Sequence, residues 1–192
     1  MGEPRISYVD TRKLTDPRMR DECERARREG TPRVESHAIR AHVPEVFWSF
    51  VDTWSAVFVN GLVDHGLKEL CRVYVSRSVK CDYCGGQRSV TAARAGVTEA
   101  DYADLLDFEH SNRYDERQKA ALALARAITW DVDTDDAFWA RLHRHFAEPE
   151  LVELGYFIGF TMGQQRFLRT LNIEPGQVPA DLGMSHATQP DL

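Results

Sequence analysis

Apolar residues recur at intervals of three and four along nearly every long segment of this chain. That period places them on one face of a helix, whereas a half-buried strand alternates apolar and polar residues. No alternating run ends in the Gly, Asn or Asp chemistry of a tight hairpin. The pattern therefore predicts an all-α protein, and the short connections favour one helical bundle with a single domain.

Start and stop signals divide this pattern into elements. Asp16-Pro17 is a typical helix start, and the charged helix that follows should stop at Gly30. Val43-Pro44 should open a helix with a broad apolar stripe, and Asp64 can cap the next one. Further helices are predicted from the cysteine pair to residue 95 and over 98–108, 115–128, 134–146 and 149–171.

Composition and charge narrow the functional classes. The 192 residues carry a net charge of −6, and the second half, 97–192, is the strongly acidic part. An acidic half argues against nucleic acid as the main partner. No window approaches the roughly 20 apolar residues of a membrane span, and the polar N-terminus lacks the apolar core of a signal peptide. We therefore expect a cytoplasmic protein with no membrane partner.

The most informative motif is a pair of cysteines two residues apart, Cys81 and Cys84. At a helix start such a pair points towards unpaired backbone N–H groups, which favour thiolate, and the two sulfurs can close a small disulfide. Arg88, four residues on, is expected on the same helix face, where its charge would lower a thiol pKa further. Glu69 would approach from the preceding helix.

Zinc binding and inert packing are the alternatives for this pair. A C-x-x-C is half of a tetrahedral zinc site, but the other ligands would have to come from Cys23, Cys71 and seven scattered histidines. No second C-x-x-C or closely spaced histidine pair of zinc type follows. Redox or nucleophilic thiol chemistry without a metal or cofactor is the favoured interpretation.

These residues resemble a known family. The segment 67–70 (LKEL), the step from Glu69 to Cys81, the CDYC pair and the segment 89–97 (SVTAARAGV) are similar to the alkylhydroperoxidase D-like branch of the carboxymuconolactone decarboxylase family. The resemblance continues more weakly to about residue 173. It implies an alkylhydroperoxidase D-like bundle at 41–173, preceded by an arm and charged helix at 1–40 and followed by a tail at 174–192.

The resemblance also implies a function. In such peroxidases the second cysteine attacks a hydroperoxide and the first closes a disulfide, which a thiol reductant protein reopens. By position Cys84 would attack, Cys81 would resolve, and Glu69 would belong to a proton relay. The family's histidine is replaced here by Arg88, which stays protonated and cannot act as a base. Members of the family form homo-oligomers, and we expect one here.

Two other functions stay open at this point. A lyase, isomerase or decarboxylase could bind a small carboxylated or lactone substrate through Arg88, with Glu69 or a cysteine as the acid or base. The protein could also have a non-catalytic binding or assembly role. Arg88 and Glu69 could equally form a buried ion pair that only orients helices.

Several further residues have a functional and a structural interpretation. His65 lies one turn before Glu69 and could replace the missing histidine, or it could be a partly exposed histidine at a helix start. Tyr83 could donate its hydroxyl to a substrate, or it could simply cover the cysteines. Cys71 is expected to be a small buried residue, and Cys23, on a charged helix, is expected to be exposed. An aromatic stripe could line a pocket or form core: Phe47, Trp48, Phe50, Trp54 and Phe58.

Overall fold

The computed structural model describes residues 3–178, and within that range the secondary structure is helical without strands. The all-α prediction is therefore confirmed, as is the single domain. The helices are α1 (Pro17–Glu29), α2 (Val34–Arg40), α3 (Pro44–Trp54), α4 (His65–Ser78), α5 (Asp82–Gly85), α6 (Val90–Arg94), α7 (Glu99–Ala103), α8 (Glu116–Trp130), α9 (Asp136–His143) and α10 (Glu148–Arg169). A π-helical turn at Ser55–Val59 extends α3, and 3-10 turns lie at Thr11–Lys13 and Leu105–Asp107.

Aspartate caps explain where several helices begin. The side chains of Asp16, Asp64 and Asp115 accept hydrogen bonds from backbone N–H groups in the first turns of α1, α4 and α8. Each cap satisfies a donor that has no partner inside its helix. At the other end of α1, Gly30 has a φ of 73°, a left-handed conformation that favours glycine. These starts, and the end of α1, are where the sequence predicted them.

Helix α4 lies at the centre of the core. It packs against α8 on one side and α10 on another, and its polar residues are buried along with its apolar ones. A helix enclosed on several sides cannot solvate its charged groups, so those groups need partners inside the protein. The buried Glu69, Arg72 and Lys68 of this helix therefore point to built polar networks.

Three elements differ from the sequence prediction. The helix expected over 98–108 is divided into α7 and the 3-10 turn at Leu105–Asp107. The single helix expected from the cysteine pair to residue 95 is instead two short helices, α5 and α6, separated by a loop at 86–89. Gly85-Gly86 is a weak helix former, and Ser89 caps α6 through the N–H of Ala92, which stabilises a new start. Helix α2 was not predicted at all, and every one of its residues is buried.

The N-terminal segment packs over the loop that follows the cysteines. Helix α1 contacts α2 and α6, and a Cβ at Gly30 would collide with the carbonyl oxygen of Arg88. Residues 31–40, which we call the N-terminal cover, therefore lie over the cysteine motif. Of the predicted tail at 174–192, residues 179–192 lie outside the described residues. Within 3–178, no helix combines the length and apolar character needed to cross a bilayer.

Candidate functional site

Cys81 and Cys84 form a disulfide at the start of α5, with their Cα atoms 5.2 Å apart. Both residues are buried, with 3% and 2% of their surface exposed. The sulfur of Cys81 accepts a hydrogen bond from the backbone N–H of Cys84 at 3.3 Å, so Cys81 is the N-cap of this short helix. The two sulfurs thus lie in different surroundings: one caps a helix, and the other belongs to a residue that lines a cavity.

Beneath the disulfide, Glu69 and Arg72 of α4 form a buried ion pair. The guanidinium donates to both carboxylate oxygens, at 2.6 and 2.8 Å. Its remaining donors reach the carbonyl oxygens of Cys84 and Gln87, at 3.0 and 2.8 Å. Arg72 thus joins the Glu69 carboxylate to residues 81–87, which we call the cysteine loop. The Glu69–Arg72 ion pair fixes the backbone around Cys84, and its two charges balance each other.

A second arm of this network leads from Glu69 to His65. The backbone N–H of Ser89 donates to Glu69 Oε1 at 3.0 Å, and the Ser89 hydroxyl lies 2.7 Å from His65 Nε2. His65 Nδ1 lies 2.9 Å from the carbonyl oxygen of Phe58, which can only accept, so Nδ1 carries the proton and Nε2 accepts from Ser89. Burial lowers the pKa of His65, which favours this neutral form.

Arg88 does not pair with Glu69, so the predicted ion pair between them is wrong. Its guanidinium donates to Glu99 of α7 at 2.6 and 3.0 Å and lies 4.4 Å from the ring centre of Tyr102. The hydrogen bond from Arg88 holds the pKa of Glu99 below its ordinary range. The expectation that Arg88 shares a helix face with Cys84 is also wrong, because α5 ends at Gly85.

The N-terminal cover contacts the cysteine loop through Tyr83 and Gln87. The Tyr83 hydroxyl donates to Glu35 of α2 at 3.2 Å, and burial, followed by the nearby Glu35 charge, raises its pKa well above the ordinary value. Gln87 Oε1 accepts from the Thr31 hydroxyl and the Arg33 backbone, at 3.1 and 3.2 Å. Tyr83 thus faces the cover and is not among the residues that line the cavity beside Cys84.

That cavity lies between α2, α3, α4 and α10, with Cys84 in its wall. Its volume is about 30 Å³, which is room for about two waters. Phe50 and Trp54 supply aromatic walls, so the predicted aromatic stripe contributes to the pocket as well as to the core. The other lining residues are mostly polar: Thr31, Pro32, Ser36, Arg40, Arg72, Gln87, Thr161, Gln164, Gln165 and Leu168.

Arg40 is the unusual charge in this wall. It is 5% exposed, donates to Gln164 Oε1 at 2.9 Å, and lies 3.6 Å from the centre of the Phe50 ring. Among residues 3–178 no carboxylate lies within ion-pair distance of it, and its Nη1 has no hydrogen-bond partner. Burial lowers the pKa of Arg40 to about 10, which still leaves the guanidinium charged at neutral pH.

The two remaining cysteines are both buried free thiols. Cys71 is buried as predicted, but the expectation that Cys23 is exposed is wrong, because α1 turns it towards a small cluster with Met19, Val34 and Phe47. Burial raises the pKa of Cys23 to about 12. In the part of the chain that the structure describes, His, Cys, Asp and Glu side chains form no group of three or more that could hold a metal ion.

Sequence reasoning missed Arg40, Arg72 and Gln87. A signal existed for Arg72, since it lies three residues after Glu69 on a helix whose other face is apolar. No comparable signal existed for Arg40, because nothing in its local sequence shows that α2 is buried on all sides. The structure brings Cys81, Cys84 and Glu69 into one network and links His65 to it through Ser89. Arg88 pairs with Glu99 and also donates to the carbonyl oxygens of Gly85 and Gln87, whereas the Tyr83 hydroxyl turns to Glu35.

Residues 44–127 match the carboxymuconolactone decarboxylase family. This segment contains Glu69, the cysteine pair and Arg88, so the match confirms the family resemblance over this region. It leaves out Arg40 and the N-terminal cover. No protein of curated function matches the chain in sequence.

Solved structures of alkylhydroperoxidase D-like proteins share the fold. An uncharacterized peroxidase-related protein from Ralstonia eutropha JMP134, described as an alkylhydroperoxidase AhpD core, is 18% identical with a TM-score of 0.72, covering 92% of this chain and 94% of its own. A peroxidase-related protein from Silicibacter sp. TM1040 is 16% identical with a TM-score of 0.73, covering 90% and 92%. The debrominase Bmp8 is 20% identical with a TM-score of 0.70, covering 83% and 87%. The chain therefore has the predicted alkylhydroperoxidase D-like fold.

Proposed function

We propose that the protein is a thiol-based oxidoreductase that reduces a small peroxide or disulfide through Cys81 and Cys84. The observation that carries this proposal is the position of Cys84 in the wall of a small cavity while it is paired with Cys81. The pair can change between dithiol and disulfide with a short movement of two neighbouring side chains. The family match at 44–127 supports the same chemistry.

The proposed reaction starts from the dithiol. The Cys84 thiolate attacks the outer oxygen of a hydroperoxide, the O–O bond breaks, and the leaving alkoxide takes a proton to become an alcohol. Cys84 is then a sulfenic acid, which the Cys81 thiol attacks to form the disulfide and release water. Two thiols are oxidised and one peroxide is reduced. A dithiol reductant, small molecule or protein, returns two electrons by thiol-disulfide exchange.

The charges around the cavity support Cys84 as the attacking residue. Two guanidinium groups, those of Arg40 and Arg72, line the same cavity as Cys84, and only Arg72 is balanced by a buried carboxylate. Positive charge in the wall that holds Cys84 favours the thiolate form of Cys84 in the reduced protein. Arg88 does not contribute in the way that the sequence predicted, because its charge is balanced by Glu99.

The test is a single-turnover oxidation. The reduced protein is mixed with a stoichiometric organic hydroperoxide, free thiols are followed over time, and peptides are identified by mass after alkylation. We expect rapid loss of two thiols and recovery of the Cys81–Cys84 disulfide. Cys84→Ser should abolish the fast phase. Cys81→Ser should keep the first step and accumulate a sulfenic acid at Cys84 that dimedone traps.

The matched control is Cys23→Ala, which removes a buried thiol that does not line the cavity and should leave the fast phase unchanged. Fast oxidation that survives in Cys84→Ser would show that another thiol attacks. Persistent thiols in the unmodified protein, with both hydroperoxide and a small disulfide, would refute the proposed activity. The lyase, isomerase or decarboxylase alternative would then become the leading hypothesis.

The assay should include a second electron acceptor. Because one structural neighbour is a debrominase, an organobromide belongs in the same single-turnover experiment, with bromide release as the readout. Reduction of a carbon–bromine bond would consume the same two electrons and yield bromide, so the disulfide would again be the protein product. Bromide release without loss of the Cys81 and Cys84 thiols would contradict the thiol-based chemistry.

A further inference from the structure

Three buried polar atoms without hydrogen-bond partners belong to side chains that line the cavity beside Cys84. They are Nη1 of Arg40, Nε1 of Trp54 and Oε1 of Gln165. Each of these residues is 4% or 5% exposed. Buried polar atoms are normally paired, since leaving one unpaired costs about 1–3 kcal/mol. Because all three belong to residues that line one cavity, a ligand in that cavity would be the nearest source of the missing hydrogen bonds.

The chemistry of the three atoms describes that ligand. Arg40 and Trp54 offer N–H donors, and Arg40 adds a positive charge that has no carboxylate of residues 3–178 within ion-pair distance. Gln165 offers an acceptor. Its orientation follows from its amide nitrogen, which donates to the backbone carbonyl of Arg72 at 3.2 Å, an atom that can only accept. Two donors with a positive charge suit a carboxylate, and the acceptor suits a neighbouring hydroxyl.

We propose that Arg40, Trp54 and Gln165 form a subsite for a small carboxylate, preferentially one with a hydroxyl group beside it. The size of the cavity fits, because space for about two water molecules is the space of a carboxylate group. Binding at this subsite does not depend on redox chemistry. That the bound acid is part of the substrate of Cys84 rests on the proposed function.

Water could fill the cavity, but it would leave the Arg40 charge buried without an anion. Water satisfies hydrogen bonds without supplying the opposite charge. A carboxylate supplies both, and a bidentate contact with guanidinium is among the stronger polar contacts in proteins. The ring of Phe50, 3.6 Å below the guanidinium, holds Arg40 in place for such a contact.

The experiment follows the indole N–H signal of Trp54 in the ¹⁵N-labelled, oxidised protein, with Trp54→Phe used to assign the signal. Acetate and glycolate are titrated, and acetamide is the uncharged probe of similar shape. We expect saturable shifts with both acids, at least fivefold tighter binding of glycolate, and no saturable shift with acetamide. Equal shifts with acetate and acetamide would overturn the carboxylate subsite. Equal affinities for glycolate and acetate would overturn its hydroxyl preference.

Two variants test the residues. Arg40→Met should weaken acetate binding at least tenfold. Gln165→Glu keeps Arg40 but supplies a resident carboxylate in the same cavity, and it should abolish binding as well. Arg18→Gln is the matched control, because Arg18 lies over an aromatic ring as Arg40 does, but on Trp48 and with Asp16 as its partner. Unchanged affinity in a folded Arg40→Met or Gln165→Glu protein would refute the subsite.

The outcomes separate this proposal from the proposed function. Acetate binding in a protein whose reduced thiols ignore peroxides and disulfides would support the subsite and refute the oxidoreductase. Fast thiol oxidation in a protein that binds neither acid would support the oxidoreductase and refute the subsite. If both hold, acetate should also slow the alkylation of Cys84 in the reduced protein, with half-protection at the concentration that half-saturates the Trp54 signal.

Discussion

Arg72 and Arg40 are two buried guanidinium groups in the wall of one cavity, and they are held in opposite ways. Arg72 uses its donors on Glu69 and on two backbone carbonyls of the cysteine loop. Arg40 has one glutamine and one aromatic ring as partners and retains an unpaired nitrogen. The first arrangement is complete without a ligand, and the second is not.

This difference assigns different roles to the two charges. A buried ion pair in which every guanidinium nitrogen has a partner orients the elements it joins, and in this protein it joins α4 to the loop around Cys84. A buried charge without an ion partner lowers the stability of the empty protein and is expected where a ligand or a reacting group supplies the opposite charge. Arg72 thus orients the backbone around Cys84, and Arg40 is expected to interact with a ligand or reacting group in the cavity.

The largest expected effect is on the free energy of unfolding, and it comes from removing the ion partner of Arg72, so that Arg72 lacks a carboxylate partner as Arg40 does. Glu69→Gln removes the carboxylate and leaves a second buried guanidinium without an ion partner. We expect a loss of about 3–5 kcal/mol in the free energy of unfolding, measured with denaturant on the oxidised protein. The double variant with Arg72→Met should recover part of that loss, because it also removes the stranded charge. A loss below about 1 kcal/mol would mean that Glu69 does not balance Arg72.

The second prediction concerns the Cys84 thiol. In the reduced protein, Arg40→Met removes the unbalanced positive charge from the cavity, so the pKa of Cys84 should rise. Alkylation of Cys84 by iodoacetamide at neutral pH should then slow by roughly tenfold. Arg88→Gln is the matched control and should change the rate by less than about twofold, because Arg88 is paired with Glu99. A larger decrease in rate for Arg88→Gln than for Arg40→Met would instead support the sequence prediction that Arg88 lowers the pKa of the Cys84 thiol.

A third prediction uses the neutral His65 at the end of the Glu69 network. The pKa of His65 is lower in the folded protein because burial disfavours its charged form. Between that lower pKa and the ordinary value of 6.5, the unfolded chain binds more protons, so stability falls as the pH falls through this window. His65→Gln should reduce the loss of stability between about pH 8 and about pH 5.

Denaturant unfolding at several pH values checks this prediction. His110→Gln, at an exposed histidine, controls for the removal of an imidazole as such. His37, which is fully buried near Glu22, also has a pKa lowered by burial and should account for part of the remaining acid sensitivity. An identical pH profile for His65→Gln and the unmodified protein would contradict the neutral role of His65.

The helix starts could be predicted because their causes are local. Asp16, Asp64 and Asp115 each accept a hydrogen bond from within three residues, and such a contact is visible in the sequence. The break after Gly85 was missed because two glycines weaken a helix without forbidding it, and the Ser89 cap decided the outcome. The cysteine pair and Glu69 were found because their spacing itself carries the chemistry.

The charges of the site could not be predicted in the same way. Arg88 is eleven residues from Glu99, and its choice of Glu99 over Glu69 depends on where the loop at 86–89 turns. Arg40 lies outside the segment that matches the family, on a helix with no capping signal of its own. Its function follows from burial against α3 and α10, which are contacts between distant parts of the chain.

The smallest expected effect on the free energy of unfolding is that of Arg40→Met, and it distinguishes the role of Arg40 from that of Arg72 most clearly. Arg40→Met should leave the free energy of unfolding unchanged or raise it slightly, because the variant removes an unbalanced buried charge and fills the space with an apolar side chain of similar length. The hydrogen bond to Gln164 is lost, but Gln164 is only partly buried, so water can replace it. The same measurement as for Glu69→Gln, in the absence of carboxylate buffers, tests this. A loss of more than about 2 kcal/mol would show that Arg40 stabilises the fold as Arg72 does, and that its unpaired nitrogen is not reserved for a ligand.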